Sequence, residues 1–269
     1  MHGKERVIGP ILKRWFGMEI ETAEGVDTDA LGTFTGEIPR LGDMRDAARA
    51  KARLAIERTG VAIGLGSEGA FGPHPVAPFL ASGLEVLLLL DVETNLEIVA
   101  QRRTATNYDS TRVRPGEDIQ PFLAHVGFPR HALVVRPEGR SDATGLIKGV
   151  ADPSALRRAI EMACALSATG VAQVQTDMRA HMNPDRMKAI GFVARMLALR
   201  AARLCPACRT PGFGRADFLR GLLCEDCGAP TRQIRAEIHR CRQCGHQRIR
   251  RERPQTMRAP VLWCDVCNP

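Results

Sequence analysis

The chain has 269 residues, 38 Lys and Arg against 30 Asp and Glu, a net charge of +8, nine cysteines and 44% hydrophobic residues. That apolar fraction suffices for a packed core and excludes general disorder, while the longest apolar run, 86–90, is far too short to cross a bilayer. Met1-His2-Gly3-Lys4-Glu5 lacks the basic-then-apolar layout of a secretory leader, so a cytoplasmic protein without disulfides is expected.

In chain order, Asp43 predicts the cap of a helix to about residue 58, with Ala47, Ala48, Lys51, Leu54 and Ala55 at helical spacing and Gly60 as the stop. Residues 61–65 read as a short strand that ends at the glycine-rich segment 66–75. Residues 85–91 read as a strand buried on both faces, and 131–136 as another. Between these two, 92–130 carry turn formers such as Arg114-Pro115-Gly116 and no clear period. Asp152-Pro153 opens a helix to about residue 168 that Gly170 stops, and 171–175 return as a strand. Asn183-Pro184 opens a final helix whose apolar face is Ile190, Val193, Leu197 and Leu204. Strands alternating with helices predict an α/β domain over residues 1–200, a mixed sheet with flanking helices.

Eight of the nine cysteines follow residue 204, in the pairs Cys205-Cys208, Cys224-Cys227, Cys241-Cys244 and Cys264-Cys267. Two intervening residues let both thiolates of a pair turn toward one ion, and two pairs complete a tetrahedral site. Residues 201–269 are therefore expected to form a small double zinc ribbon with two structural Zn²⁺ sites. The gaps of fifteen residues (209–223) and nineteen (245–263) suit hairpins that join sequential pairs, and an interleaved arrangement uses the same knuckles. Gly228 and Gly245 stand where a knuckle needs a positive φ. His239 and His246 flank the third pair, so a site of three cysteines and one histidine is the alternative; Cys164, inside a helix, reads as core.

The last 69 residues hold 13 Arg, no Lys and six acids, a formal +7, against 25 basic and 24 acidic residues before them. Four thiolates around Zn²⁺ carry a net −2, so two sites lower the tail to about +3 and the chain to about +4. Arg248, Arg250, Arg251 and Arg253 remain as a solvated face or a contact for nucleic acid or a protein partner. The sparse aromatics there argue against a base-stacking platform.

Four polar segments combine glycine, hydroxyl and charge: 2–5, 27–40, 66–75 and 176–186. Helix starts and strand ends collect ligands in α/β folds. Lys4, Arg40, Lys51, Lys148, Arg179 and Arg186 could bind phosphate or carboxylate, while Asp27, Asp29, Glu37, Glu68 and Asp177 could hold Mg²⁺. The bland readings are a tight Gly-Thr-Phe-Thr-Gly loop, an Asx turn at Asp27 to Asp29, and Asp177 and Asp185 as caps paired with Arg179 and Arg186. His74, between two prolines, reads as a rigid-loop residue.

His-Gly-Lys-Glu at 2–5, Asp-Thr-Asp with Gly-Thr-Phe-Thr-Gly-Glu at 27–37, Ser-Glu-Gly with Phe-Gly-Pro-His-Pro at 67–75, Thr-Asp-Met-Arg-Ala at 176–180 and the closing Cys-Asp-Val-Cys-Asn-Pro resemble an uncharacterised bacterial family of unknown function. More faintly, the Gly-Lys-Glu start, Thr-Gly-Glu ahead of an alanine-rich helix and the Ser-Glu-Gly turn resemble the pyrophosphatases that act on inosine or xanthosine triphosphate. That resemblance implies Lys4 as the phosphate-contacting lysine, Glu37 as a metal-binding acid and Glu68 as the catalytic acid. Those enzymes carry an acidic pair before serine at this turn, where Ser67 precedes a lone Glu68 here. They also place a strand before the lysine loop, whereas this sequence starts in the loop, which implies either a missing strand or another segment at the sheet edge.

The functional expectation is metal-dependent hydrolysis of a phosphorylated, nucleotide-like substrate. Glu68, Glu37, Asp29 and Asp177 would serve metal and water, and Lys4, Arg40, Lys148, Arg179 and Arg186 the phosphates. The competing expectation is a non-enzymatic zinc-ribbon adaptor that binds nucleic acid or a protein.

Overall fold

The computed structural model describes residues 2–23, 25, 42–140, 142–250 and 257–269. It divides into two compact units, Met1–Ala198 and Leu199–Pro269.

In the first unit, α1 (Glu5–Phe16) buries Ile8 and Leu12 and ends at Gly17, in the left-handed region. No expectation covered this helix. Next, α2 (Met44–Thr59) follows the expected bounds closely: Asp43 accepts from the Arg45 and Asp46 amides, Asp46 reaches back to the Asp43 amide, and Gly60 closes the helix at φ 72°. Three strands follow as an antiparallel meander, β1 (Ile63–Pro73), β2 (Ala81–Asp91) and β3 (Leu96–Ala105), in the order β1-β2-β3. The strand expected over 61–65 thus continues eight residues further, and Gly66 to Pro73 belong to its ladder with β2 rather than to a turn beyond it.

Close backbone approach explains why this stretch is rich in glycine yet extended. A Cβ on Gly64 would lie 2.3 Å from the Ala52 carbonyl oxygen, and one on Gly66 only 1.7 Å from that of Ala48. Helix α2 therefore rests directly on the backbone of β1, with Ala48, Ala52, Val86, Leu88, Leu90 and Val99 as the shared core. Glycine lowers strand propensity, and here it marks where a helix backbone must fit.

A second sheet has the order β4-β7-β5-β6, from β4 (Ser110–Val113), β5 (Leu133–Pro137), β6 (Ile147–Val150) and β7 (Ala172–Thr176). Helix α3 (Gln120–Val126) and helix α4 (Pro153–Leu166), capped by Asp152 with proline at its first position, supply the remaining elements. Leu123, Val126, Leu133, Val135, Leu156, Ile160, Ala163, Cys164 and Val174 pack as one core, so Cys164 is a core thiol as expected. The segment 92–130, left without a period by its sequence, supplies β3, β4 and α3. Helix α5 (Pro184–Ala201) buries Ile190, Val193 and Leu197, but Leu204 lies beyond its end and bridges Pro211 instead.

The α/β class stands, but among the described residues every ladder of this unit is antiparallel where a mixed sheet was expected. The connections explain the difference. Short turns join β1 to β2 and β2 to β3, and such turns can only reverse direction. In the second unit, β8 (Gly214–Arg220), β9 (Ile234–Arg240) and β10 (Gln247–Arg250) form a further antiparallel sheet in the order β10-β9-β8.

Replacing Gly66 with alanine should cost about 3 kcal/mol, because the new methyl must displace a helix backbone. Urea unfolding should show a lower midpoint at unchanged slope, and Gly72→Ala, whose Cβ would meet nothing within 4 Å, should be nearly neutral.

Candidate functional site

The cysteine knuckles repeat one local geometry. The amide of the residue four after the first cysteine donates to that cysteine's carbonyl: Arg209 to Cys205 at 2.9 Å, Gly228 to Cys224 at 3.2 Å, Gly245 to Cys241 at 3.1 Å and Asn268 to Cys264 at 2.9 Å. Gly228 and Gly245 take φ 70° and 74°, as their positions required, and Arg209 adopts φ 64° in the same place.

The eight thiols gather into two clusters, Cys205, Cys208, Cys241 and Cys244 in one and Cys224, Cys227, Cys264 and Cys267 in the other, with all sulfurs of a cluster within 4.8 Å. The pairing is therefore interleaved, which corrects the sequential hairpins expected from the gap lengths. Strand geometry decides this. Gly214 lies opposite Arg240 and Arg220 opposite Ile234, so the knuckle before β8 meets the knuckle after β9. The seven residues of β8 span roughly 23 Å and hold the first and second knuckles too far apart to share an ion. At the other end, Ala259 pairs with Cys224 and brings the last knuckle alongside the second.

Each cluster could hold a metal ion. Sulfurs about 2.3 Å from one tetrahedral ion lie about 3.8 Å apart. The contacts here are 3.7 Å for Cys205–Cys244, 3.6 Å for Cys208–Cys241 and 3.6 Å for Cys227–Cys264. His239 is not a ligand; its Nε2 lies 2.9 Å from Glu237 Oε2.

In the first unit the polar segments converge unevenly. Asp27, Asp29, Glu37 and Arg40 lie outside the described residues. Glu68, expected at a strand end, sits inside β1, is 2% exposed, and accepts from Lys51 Nζ at 2.6 Å. Asp177 is buried, paired with Arg179 at 2.6 Å, and accepts from the Gly149 amide at 3.1 Å. Arg186, expected to bind phosphate, is engaged inside the unit: its Nε donates to Glu85 Oε1 at 2.7 Å, the pair is almost fully buried, and the guanidinium also donates to the Met178 carbonyl. Lys148 is exposed on β6. His74 Nδ1 accepts from the Val76 and Ala77 amides, the rigid-loop role expected of it.

Sequence reasoning missed Glu85. Its signal was a lone acid in the apolar run of β2, a pattern that demands a buried partner. Gly69 makes room for that partner: a Cβ there would lie 2.6 Å from the Arg186 guanidinium and 2.8 Å from Glu85.

Lys4 completes the cluster. Its Nζ donates to Ser67 Oγ at 3.2 Å and to the Ser67 carbonyl at 3.4 Å, with no carboxylate in contact among the described residues. Burial, reinforced by the nearby Arg186 and Lys51 cations and only partly offset by Glu85 and Glu68, lowers its pKa to about 8. Beside it, the rings of His2 and His181 stack with centroids 4.9 Å apart and their Nδ1 atoms 3.0 Å apart. Burial and the neighbouring His181, Lys4 and Arg179 press the His2 pKa down to about 4, so the imidazole is neutral at pH 7.

Lys4, Lys51, Ser67 and Glu68 line a cavity of about 580 Å³, whose apolar lining includes Ile8, Leu12, Ile20, Leu87 and Leu89. Of the charged groups that line it, Lys4 and Lys51 are cationic and Glu5, Glu19, Glu21 and Glu68 acidic; Glu68 is paired with Lys51, while Glu19 and Glu21 are exposed and Glu19 is paired with Lys13. An apolar pocket with charged groups of both signs on its lining suits a small molecule that has an apolar body and a polar head.

A family model described as a domain of unknown function, DUF6671, matches residues 51–269, which include Lys51, Glu68, Asp177, Arg179 and all eight clustered cysteines. No curated protein and no solved structure matches the chain.

Simultaneous Cys205→Ser and Cys241→Ser substitution should remove one metal ion per chain and leave the other. Sequential pairing would lose both, and elemental analysis of the purified protein reads the difference.

Proposed function

The chain belongs to the DUF6671 family, whose description carries no activity, and from its cavity we propose that the first unit binds a phosphorylated small molecule. One observation carries this reading: a largely buried ammonium, Lys4, lines the cavity and is met only by the hydroxyl and carbonyl of Ser67. Among the described residues no carboxylate touches this ammonium, and an incoming phosphate would supply a direct charge-assisted contact. Lys51 adds a second positive group, though one engaged with Glu68.

Hydrolysis of a nucleotide-like phosphoanhydride is the further step, and the pyrophosphatase resemblance supports it. Glu68 and Asp177 are each held by a cation, so Asp29 and Glu37 would have to supply most of the ligands for Mg²⁺. In the second unit, we assign Zn²⁺ to both cysteine clusters. All-thiolate tetrahedra favour zinc, and four protein ligands leave no open position, which makes both sites structural.

A second reading concerns partners. Strand β10 is exposed throughout and lies at the sheet edge, with Arg248 and Arg250 on it. An edge of this charge suits the phosphate backbone of a nucleic acid, or an acidic protein surface.

Calorimetry with inorganic pyrophosphate tests the anion reading. Binding should weaken as pH rises through about 8, where Lys4 loses its proton, and Lys4→Met should cost roughly ten- to a hundredfold in affinity. Pyrophosphate binding that is indifferent to Lys4 would remove the basis of the proposal. For turnover, nucleoside triphosphates with Mg²⁺ should be hydrolysed by the wild type and much more slowly by Glu68→Gln; absence of turnover leaves a binding protein. For the second reading, Arg248→Ala with Arg250→Ala should lower affinity for a DNA or RNA duplex across sequences and reduce the salt slope by about two.

A further inference from the structure

We propose that Lys4 is an amine nucleophile that forms an imine with a carbonyl compound bearing an anionic group. The proposal rests on the reading of the cavity as an anion site and names the ligand class more narrowly. The chain has five lysines, Lys4, Lys13, Lys51, Lys148 and Lys188. Lys13 and Lys188 are exposed and paired with Glu19 at 2.7 Å and Asp185 at 3.1 Å, and Lys51 is held by Glu68 at 2.6 Å. Lys4 alone lines the cavity with a hydroxyl and a carbonyl as its contacts, so no carboxylate touches its ammonium to hold the proton there.

An amine that sheds its proton near neutrality is a far better nucleophile than an ordinary lysine. With its pKa lowered to about 8 by burial and by the Arg186 cation, about a tenth of Lys4 is neutral at pH 7, roughly two hundred times the fraction for an unperturbed lysine. The apolar lining from Ile8, Leu12, Leu87 and Leu89 limits water, which favours imine over hydrolysis. Lys51 supplies positive charge for the anionic group of the ligand.

The step balances without a further reactant. The neutral Nζ attacks the carbonyl carbon, the C–N bond forms as the carbonyl π pair moves to oxygen, and a proton passes from nitrogen to that oxygen to give a carbinolamine. Loss of water, with hydroxyl from carbon and a proton from nitrogen, leaves the neutral imine.

Pyridoxal 5′-phosphate, which carries both an aldehyde and a phosphate, is the probe. The full-length, metal-loaded chain is incubated with it at pH 7.5, reduced with borohydride and mapped by mass spectrometry, while pyrophosphate binding is measured on the same preparation. The adduct should form on Lys4 at least tenfold ahead of Lys13 and Lys188, and pyrophosphate should block it. It should also vanish in Lys4→Arg, which has no primary amine to form an imine. The competition measurement uses wild-type protein and stands even if that variant does not fold. Label on Lys4 that pyrophosphate does not block overturns the claim that an anionic group directs the carbonyl compound there, and label spread evenly over the lysines overturns the imine. If pyrophosphate still binds in that case, the anion reading survives alone; if it does not, both fall.

Discussion

The ion pair between Glu85 and Arg186 is the constraint on which the first unit is arranged. Both side chains are almost fully buried, and removing either partner would strand a charge in the interior at a cost of about 3–5 kcal/mol. The pair joins β2 of the meander to the start of α5. Through its bond to the Met178 carbonyl it also fixes the segment that carries Asp177 and Arg179. Arg186 further lies 5.0 Å from the Phe71 ring, which sets the guanidinium against β1. Gly69 is a consequence of this pair, since any side chain at that position would occupy its space.

The charge of Arg186 also acts beyond its partner. It contributes to the depressed pKa of Lys4, which meets only Ser67 among the described residues. A structural ion pair thus conditions the reactivity of a cavity lysine beside it. The neutral His2–His181 stack adds no further charge to this neighbourhood at pH 7. The result is a pocket with apolar walls in which Lys4 and Lys51 stand among carboxylates of the same lining.

The second unit reaches order by different means. Among the described residues its sheet and knuckle loops bury Phe213, Leu222, Ala236 and Ala259 beside four cysteines, too few apolar groups to carry a fold alone. Metal ligation at two ends of the β8–β9 ladder would supply the cross-links that this core lacks. Zinc bound by four thiolates at each cluster would temper the basic tail, from a formal +7 to about +3, and the arginines of β10 are exposed.

Local signals were legible where one residue type has one physical use. Asp43 with Gly60, Asp152 with Pro153, and the Cys-x-x-Cys knuckles with Gly228 and Gly245 each satisfy a short-range requirement, and each is found as read. The ladder of β1 was hidden because glycine favours no strand, and only the Ala48 and Ala52 carbonyls against it reveal why it is there. Glu68 read as a turn carboxylate for the same reason, yet it is a strand residue neutralised by Lys51. The sequence by itself determined four cysteine knuckles, the helix caps and the excess charge of the tail, because each depends on residues within a few positions of one another. Tertiary structure alone decided which knuckles cluster together, which arginine pairs with Glu85 and which lysines line the cavity. Those outcomes depend on the length and direction of the strands between distant residues, and no local pattern encodes them.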